Sequence, residues 1–427
     1  MANRLTSALA SALATAERVP ARFGSTMTSS FLIGMSESLR IRAVMGNFLF
    51  WLSVVTLVGL VATLIEFAIG NRSLHRLRET PPLSGDTPKV SIVVAGRNEE
   101  RKIEMALRSV LALDYPNLEF IVVDDRSTDS TGKILDRMAQ ADRRLRVVHI
   151  AELPKGWLGK NHAQHAGAGQ ATGEFILFTD ADVVFEPTTV GRAVNFMRRE
   201  RLDHLAIAPD PKMPGMLLSM FGGAFTLFFG LYAKPWKARD PKSQRHIGIG
   251  AFNLVRAEAY RGVGGHTKIA MRPDDDMKLG KVMKLAGCRQ DIVLGPDFVS
   301  VEWYSSIREL VRGLEKNSYA GLEYNFALLV GATLAQWAFF LWPYGALFVT
   351  GGATWWLNLA SVATLSALYV DNTRHHRQTW WHFVGFPVTV VLFEYILWRA
   401  VLKAIRNDGI DWRDTHYSLA ELKANKI

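Results

Sequence analysis

The sequence predicts an α/β domain built on a mostly parallel sheet and flanked by transmembrane helices. Three observations carry that prediction. Short β-branched runs alternate with amphipathic stretches over residues 89–304, and strands that alternate with helices pair in parallel through crossovers. Uncharged stretches long enough to cross a bilayer stand on both sides of that region, at 43–65 and 324–370. Residues 175–178 are apolar without a gap, as expected of a central strand covered on both faces, and the run stops on Asp180 and Asp182.

The bulk numbers agree with this. A chain of 427 residues has room for roughly two or three domains. Hydrophobic residues make up 49% and charged residues 21%, a composition tilted towards the membrane, and the 12 Trp suit interfacial belts. The formal net charge is +10, but the Lys and Arg are scattered, with no basic block and no zinc-finger or RNP-type motif. That argues against nucleic acid and for an anionic membrane surface together with an anionic ligand. Cys288 is the single cysteine, so no intrachain disulfide forms, which suits the reducing side of a membrane.

Taken in order, residues 1–42 (Ala, Ser, Thr and several Arg) read as a poorly ordered tail rather than a signal peptide. Residues 43–70 read as a transmembrane helix; its uncharged part is about 34 Å long at ~1.5 Å rise per residue. Arg72, His75, Arg76 and Arg78 follow and place the next domain in the cytoplasm, although Arg40 and Arg42 on the other flank reduce that asymmetry. Residues 71–88 are a linker containing Pro81, Pro82 and Pro88. A β-branched strand follows at 90–95. Asn98 is expected to cap a helix whose Ile103, Leu107, Val110 and Leu111 share one face. Residues 118–123 form a second buried strand ending in Asp124 and Asp125. Asp129 is expected to cap the next helix, with Ile134, Leu135 and Met138 inward. A third strand at 147–150 and a helix at 160–171 lead to the strand ending at Asp180.

Residues 213–231 are uncharged and long enough to span. A span there would put Asp182 and the cluster Asp274-Asp275-Asp276 on opposite sides, so the stretch is expected to pack on the sheet or lie in the interface. Residues 250–266 are rich in turns, and 279–286 form a helix. Ser306 and Glu309 have capping-box spacing. The helix they open, 305–323, carries Ile307, Leu310, Val311 and Leu314 on one stripe, with Arg308, Arg312 and Lys316 available for lipid phosphates. It reads as an amphipathic interface helix. Residues 324–402 read as C-terminal membrane helices: a hairpin of two spans turning near Gly351-Gly352, a polar loop with Arg374 and Arg377, and a weaker span interrupted by Pro387 and Glu394. A full last span would put the tail, 403–427, outside; a re-entrant one would keep it inside.

Two carboxylates at the end of a buried strand need a counter-charge. A hard divalent cation shared with an anionic ligand supplies one, and ligands of open α/β sheets bind beyond the carboxyl ends of the strands. Asp180 and Asp182 are therefore candidates to hold a metal ion and a sugar nucleotide.

A resemblance follows from five ordered motifs: Val90 to Glu100 with Arg97-Asn98-Glu99, Val122-Val-Asp124-Asp125 with Asp129, Gly156-Trp157-Leu-Gly159-Lys160, Thr179-Asp180-Ala-Asp182, and Asp275-Asp276-Met-Lys-Leu279. Together they resemble family 2 glycosyltransferases with a GT-A fold, over roughly residues 88–320. The Trp-Leu-Gly-Lys element and the flanking spans are similar to the branch that glycosylates membrane lipids, including hopanoid-associated and carotenoid glycosyltransferases. The resemblance implies a nucleotide-sugar donor, most simply a UDP-sugar, bound by Arg97, Asn98, Glu99, Asp124, Asp125, Lys160 and Asp180. It implies Mg²⁺ or Mn²⁺ on Asp182 with help from Asp180, and Asp276, beside Asp275, as the base for an inverting displacement. Arg312 and Lys316 are possible phosphate contacts, and Asp274 leaves the register of the acidic pair open. The acceptor it implies is a membrane lipid hydroxyl, and the setting is the inner cell membrane with the catalytic domain in the cytoplasm. The Gln-x-x-Arg-Trp element of processive members is absent from the stretch with Arg312 and Lys316, which disfavours a polysaccharide synthase. A catalytically dead, membrane-tethered binding module is disfavoured because every acidic position is present. His162, His165 and His266 read as polar helix positions rather than metal ligands. Trp412-Arg413-Asp-Thr-His-Tyr417 is similar to a tail motif of related lipid glycosyltransferases and has no role assigned from sequence.

Overall fold

The apolar runs align as strands whose carboxyl ends meet along one sheet edge. A computed structural model of the chain describes residues 25–413 and 415–427, with side chains from Glu37 onward except Leu39. Of the poorly ordered tail expected over 1–42, residues 1–24 lie outside the described residues, while 25–42 are helical and continue into the first apolar helix. The strands are β1 (His75–Arg76), β2 (Val90–Gly96), β3 (Leu118–Asp125), β4 (Leu145–Ile150), β5 (Phe175–Asp180), β6 (Val183–Phe185), β7 (His204–Ala208), β8 (Asp210–Lys212), β9 (Asn253–Arg256), β10 (Gln290–Leu294) and β11 (Val299–Glu302). Eight of them form the main sheet in the order β1-β10-β7-β9-β5-β2-β3-β4, and β6-β11-β8 form a smaller one. Every pair in the main sheet is parallel except the two made by β9. In register, Gly96 stands opposite Asp124 and Ala95 opposite Asp180, so three strand ends deliver their last residues side by side.

The strand pleat explains why these runs are apolar throughout. Ile92, Val94, Phe120, Val122, Phe175 and Leu177 enter one core, under α2 (Ile103–Leu111), α3 (Thr131–Ala141) and α5 (Thr189–Glu200). Their neighbours Val93, Ile121, Val123, Ile176 and Phe178 enter the other, against α4 (Gly159–Gln170), α7 (Ala257–Gly262) and α8 (Asp275–Leu285). Side chains alternate between faces, so a strand covered on both sides must be apolar at every position. One local expectation fails. Asn98 does not cap α2, which begins only at Ile103. Asn98 adopts left-handed backbone geometry (φ 55°), and its side chain accepts from Thr128 N at 2.8 Å, tying the loop after β2 to the loop after β3. Asp129 does act at the head of α3, accepting from Thr131 N at 2.9 Å.

The remaining helices are α1 (Ser25–Ser73), α6 (Met216–Ala233), α9 (Ile307–Gly321), α10 (Phe326–Gln336), α11 (Trp342–Val349), α12 (Gly352–His375) and α13 (Phe386–Arg406). The hairpin β12 (Gly409–Trp412) and β13 (Thr415–Ser418) follows, then α14 (Leu419–Ala424). α1 starts well ahead of residue 43. Three described segments are long and apolar enough to cross a membrane: Arg40–Ser73, Met216–Lys237 and Phe326–Val349. Outwardly these helices show Val58, Ile65, Leu334, Trp337 and Phe348, while Ser53, Thr56, Gln336, Asn358 and Ser361 are buried among them. Asn358 Nδ2 donates to Ser53 Oγ at 2.7 Å across α12 and α1. Polar groups inside and apolar groups outside is the arrangement of helices solvated by hydrocarbon. Pro387 does not interrupt α13; it sits in the first turn, where a missing N–H costs nothing. Glu394 is held by Trp337 Nε1 at 2.9 Å.

Two stretches pack differently from their sequence pattern. Residues 213–231 were expected on the sheet or in an interface. Instead α6 runs among the other apolar helices: Ala224 and Leu227 meet Leu60 and Phe340, while Ala233 at its end touches the sheet cluster of Ala206 and Ile292. Over half of its apolar window, 56%, is buried, against 17% for α1, so protein rather than lipid surrounds most of it. The stripe of α9 is likewise covered. Leu310 and Leu314 are buried against Leu218 and Phe221 of α6 and Ile396 of α13, leaving no free apolar face for a bilayer. Ser306 caps α9 by accepting from Glu309 N at 3.2 Å, while the Glu309 carboxylate reaches back to Ser305 N at 2.9 Å.

Gly280 on α8 tests this packing. A Cβ there would lie 1.9 Å from the carbonyl oxygen of Ile247, which belongs to a backbone that cannot rotate away. Gly280→Ala is expected to destabilise the protein by about 1–3 kcal/mol, read as a lower thermal midpoint of the purified protein; an unchanged midpoint would contradict the close approach.

Candidate active site

The site is assembled where β2, β3 and β5 end. Asp124 and Asp125 close β3 but face different partners. Asp124 Oδ2 lies 2.9 Å from His149 Nδ1, and its Oδ1 accepts from Ser127 N at 3.3 Å. Asp125 takes a two-pronged contact from Arg126, Nε at 2.7 Å and a terminal guanidinium nitrogen at 3.0 Å. Gly159 lies against that pair; a Cβ there would come within 2.3 Å of Asp125 Oδ2, so only glycine allows the approach.

The first turn of α4 carries Lys160 into the centre. Its Nζ stands 2.8 Å from Asp180 Oδ1 and 3.2 Å from Asp275 Oδ2, joining the end of β5 to the start of α8. Gly250 closes the circuit. Its N–H donates to Asp276 Oδ2 at 2.8 Å, and its carbonyl accepts from Asp180 N at 3.1 Å. A Cβ on Gly250 would lie 2.7 Å from Asp180 Oδ2 and 3.5 Å from Asp276 Oδ2, so both carboxylates converge on one small space. Asp276 Oδ1 accepts from Met277 N at 2.7 Å. Asp274, which also borders the cavity, is bound by the buried Arg272 at 3.0 and 3.1 Å, whereas Lys160 pairs with its neighbour Asp275.

Charge and burial separate the four carboxylates. Burial would raise Asp180, but Lys160 holds it below the usual carboxylate range. Burial, and next the charge of Asp180, push Asp182 up to about 6; its one ion-pair partner among the described residues, Lys102, is 3.7 Å away. Burial raises Asp275 against the opposing pull of Lys160. Burial, with Asp275 alongside, pushes Asp276 up to about 7. Lys160 itself is kept charged, since Asp180 and Asp275 outweigh its burial. Burial and the nearby Lys160 and Arg413 bring Lys316, which also borders the cavity, down to about 8.

No group of three or more His, Cys, Asp or Glu gathers as a metal cluster among the described residues. What exists is a pair, Asp180 and Asp182, the second a half-buried carboxylate whose Lys102 partner stands 3.7 Å away. Mg²⁺ and Mn²⁺ sites that hold diphosphates are made this way, from one or two carboxylates, with phosphate oxygens and water completing the shell. The residues present therefore fit such an ion. The histidines do not compete for it: His165 stacks on Trp157 with ring centroids 4.9 Å apart, and His266 Nδ1 lies 2.7 Å from Tyr260 Oη.

A cavity of about 1130 Å³ opens from these groups. Arg97, Glu99, Asp125, Lys160, Asp180, Asp182, Asp275, Asp276 and Lys316 all border it; Asn98, Asp124 and Arg312 do not. From the carboxylates it runs between the apolar helices, where Leu60, Phe225, Phe228, Phe339, Phe340 and Phe393 form its walls. Sequence reasoning missed Lys102, Arg126 and Gly250. Only the Gly248-Ile-Gly250 spacing ahead of β9 offered a signal, and nothing local showed that Arg413 reaches the cavity.

Residues 91–263 match the model of the family described as Glycosyl transferase family 2. Among curated proteins, the 4,4'-diaponeurosporenoate glycosyltransferase of Staphylococcus aureus strain N315 is 24% identical over 387 residues, spanning 87% of this chain and 99% of that protein. The protein of the same name from the bovine strain RF122 is 23% identical over 385 residues, with the same coverage. Among solved structures, a mannosyltransferase from Pyrobaculum calidifontis, in complex with GDP-Man and Mn²⁺, superposes with a TM-score of 0.51 at 19% identity, over 81% of this chain and 99% of that one.

Removing the central ammonium should have a pH signature. In Lys160→Met, Asp180 and Asp275 lose their counter-charge and their folded-state pKa values rise. A carboxyl with a raised folded pKa loses stability as pH increases through that value. The variant's thermal midpoint is therefore expected to fall further below wild type at pH 8 than at pH 5; an equal deficit at both would contradict the bridging role.

Proposed function

We propose, on the premise that this chain is a glycosyltransferase carrying a family 2 domain of GT-A fold, that it moves a sugar from a nucleoside-diphosphate sugar to a hydroxyl of a membrane lipid. The observation that carries this reading is the single cavity, polar and acidic at the strand ends and Phe-lined between helices able to span a bilayer. A donor fits the first part and an apolar acceptor the second. The relatives named for 4,4'-diaponeurosporenoate support an acceptor of that kind.

The residues divide the work. Asp125, which borders the cavity, would accept from a base N–H such as that of a uracil. Asp180 and Asp182 would hold Mg²⁺ or Mn²⁺ together with the donor diphosphate. Such an ion neutralises charge building on the departing nucleoside diphosphate. Asp276 takes the acceptor hydroxyl proton as that oxygen forms its bond to the anomeric carbon, while the bond from that carbon to the diphosphate oxygen breaks. One displacement inverts the carbon. Asp276 suits the role because burial and Asp275 lift its affinity for a proton, and a base works best with a pKa near the working pH. The catalytic domain then sits at the cytoplasmic face of the inner membrane, in keeping with Arg72, Arg76 and Arg78 following α1.

Membranes containing the protein, supplied with a panel of labelled nucleotide sugars, are expected to place label in the lipid extract. Asp276→Asn should lower transfer about 10²-fold or more, and Asp182→Ala should abolish it. Retained transfer in both, or label in a polymer instead of a lipid, would contradict the reading. The rate is expected to rise with pH through about 7, as Asp276 gives up its proton; a profile flat from acid to alkaline pH would exclude it as the base. Chelation with EDTA should stop the reaction and Mn²⁺ or Mg²⁺ should restore it, whereas activity indifferent to EDTA would remove the metal.

A further inference from the structure

The hairpin β12–β13 lies outside the residues matched by the family model, yet it touches three separate walls of the donor end of the cavity. At its turn, Arg413 donates to the carbonyl of Arg97 and to the Glu99 carboxylate, both in the loop after β2. Tyr417 Oη accepts from Gly159 N at 3.4 Å, just ahead of Lys160. The Trp412 ring lies under Lys316, with Nζ 4.2 Å from the ring centroid. Ile410 and Tyr417 anchor the hairpin in a cluster with Leu158, Tyr319 of α9 and Val401 of α13. Arg413 is held at φ 47°, a left-handed geometry that a non-glycine residue keeps only where its surroundings enforce it.

The charge pattern at this end is unbalanced. Lys160 is matched by two carboxylates. Lys316 has no carboxylate within ion-pair distance among the described residues and rests on the face of Trp412, a weaker partner. A cation turned into a cavity without an anion is expensive unless a ligand supplies one, and Arg413, in the same wall, adds a second positive charge.

We propose that the C-terminal hairpin is a working part of the donor site: Lys316, steadied by Trp412, and Arg413, steadied by Glu99, bind the diphosphate of the nucleotide-sugar donor. This rests on the reading of the chain as a nucleotide-sugar transferase. The hairpin makes donor binding depend on residues more than 300 positions from the loop they close, since Arg413 and Arg97 are 316 apart in sequence.

The test uses the full chain, purified in detergent, with Mn²⁺ present. Calorimetry reads the affinity for UDP and GDP, and for uridine and guanosine, in wild type, Lys316→Gln, Arg413→Gln and Arg413→Lys. Both Gln variants are expected to bind the preferred nucleoside diphosphate at least tenfold more weakly, with affinity for the bare nucleoside unchanged. Arg413→Lys, which keeps the charge, should recover part of the loss. Wild-type affinity in both Gln variants overturns the proposal, as does an equal loss for diphosphate and nucleoside, which would mark a structural role. A wild-type chain that binds neither UDP nor GDP would instead remove the nucleotide-sugar reading beneath it. Thermal midpoints of all variants are measured alongside, and Arg413→Lys carries the test if a Gln variant unfolds early.

Discussion

One ammonium group organises the centre of this molecule. Lys160 stands between Asp180 and Asp275 and joins the end of a central strand to the first turn of a helix that begins far along the chain. Four carboxylates share that space, and without a positive charge most would have to bind protons to stay buried. Lys160 satisfies Asp180 and part of Asp275 but reaches neither Asp182 nor Asp276 as a close partner. Those two are left with raised proton affinity from the same burial. In the function proposed above, one takes a cation and the other a proton. Like residues in one cluster thus acquire different chemistry from where the lysine sits, much as paired carboxylates elsewhere are driven apart by their surroundings.

The sheet end is coupled to the apolar helices by packing. α9 lies between α6 and α13, with Leu310 and Leu314 buried, and the same helix turns Lys316 into the cavity. The loop holding Gly250 precedes β9, the one antiparallel strand of the main sheet, and its two backbone bonds fix the spacing of Asp180 and Asp276. Any motion of the apolar helices against the sheet would pass through α9 to the groups that line the donor end. The cavity thus keeps its charged groups at the strand ends and its Phe-lined arm between the helices, as the proposed pairing of a charged donor with an apolar acceptor requires.

Much of this was legible in the sequence for a simple reason. Strands buried on both faces are apolar at every position, so residues 90–95, 118–123 and 175–178 announced themselves, and the acidic residues that end them mark the edge where ligands bind. The order of the motifs gave the fold. Of the apolar stretches, the first and the 326–349 arm are among the described helices able to span, whereas 352–375 and 386–406 are not, and 216–237, discounted as a span, is. Local pattern failed where the answer depended on distant neighbours. The stripe on α9 was visible, but periodicity does not say whether lipid or protein covers it. Asn98 looked like a helix cap because cap chemistry and left-handed loop chemistry favour the same residue. Pro387 and Glu394 read as interruptions, although one opens the helix and the other is satisfied by Trp337. Arg413 and Gly250 could not be placed at all, since their partners lie on other elements.

The most direct measurement is electron paramagnetic resonance of Mn²⁺ titrated into the purified chain, with and without UDP or GDP, in wild type and Asp182→Ala. The expected result is weak Mn²⁺ binding that tightens sharply when the nucleoside diphosphate is added, and loss of that tightening in the variant. Equal Mn²⁺ binding in both proteins, or binding indifferent to the nucleotide, would show that the carboxylates at the strand ends do not hold a cation shared with the donor.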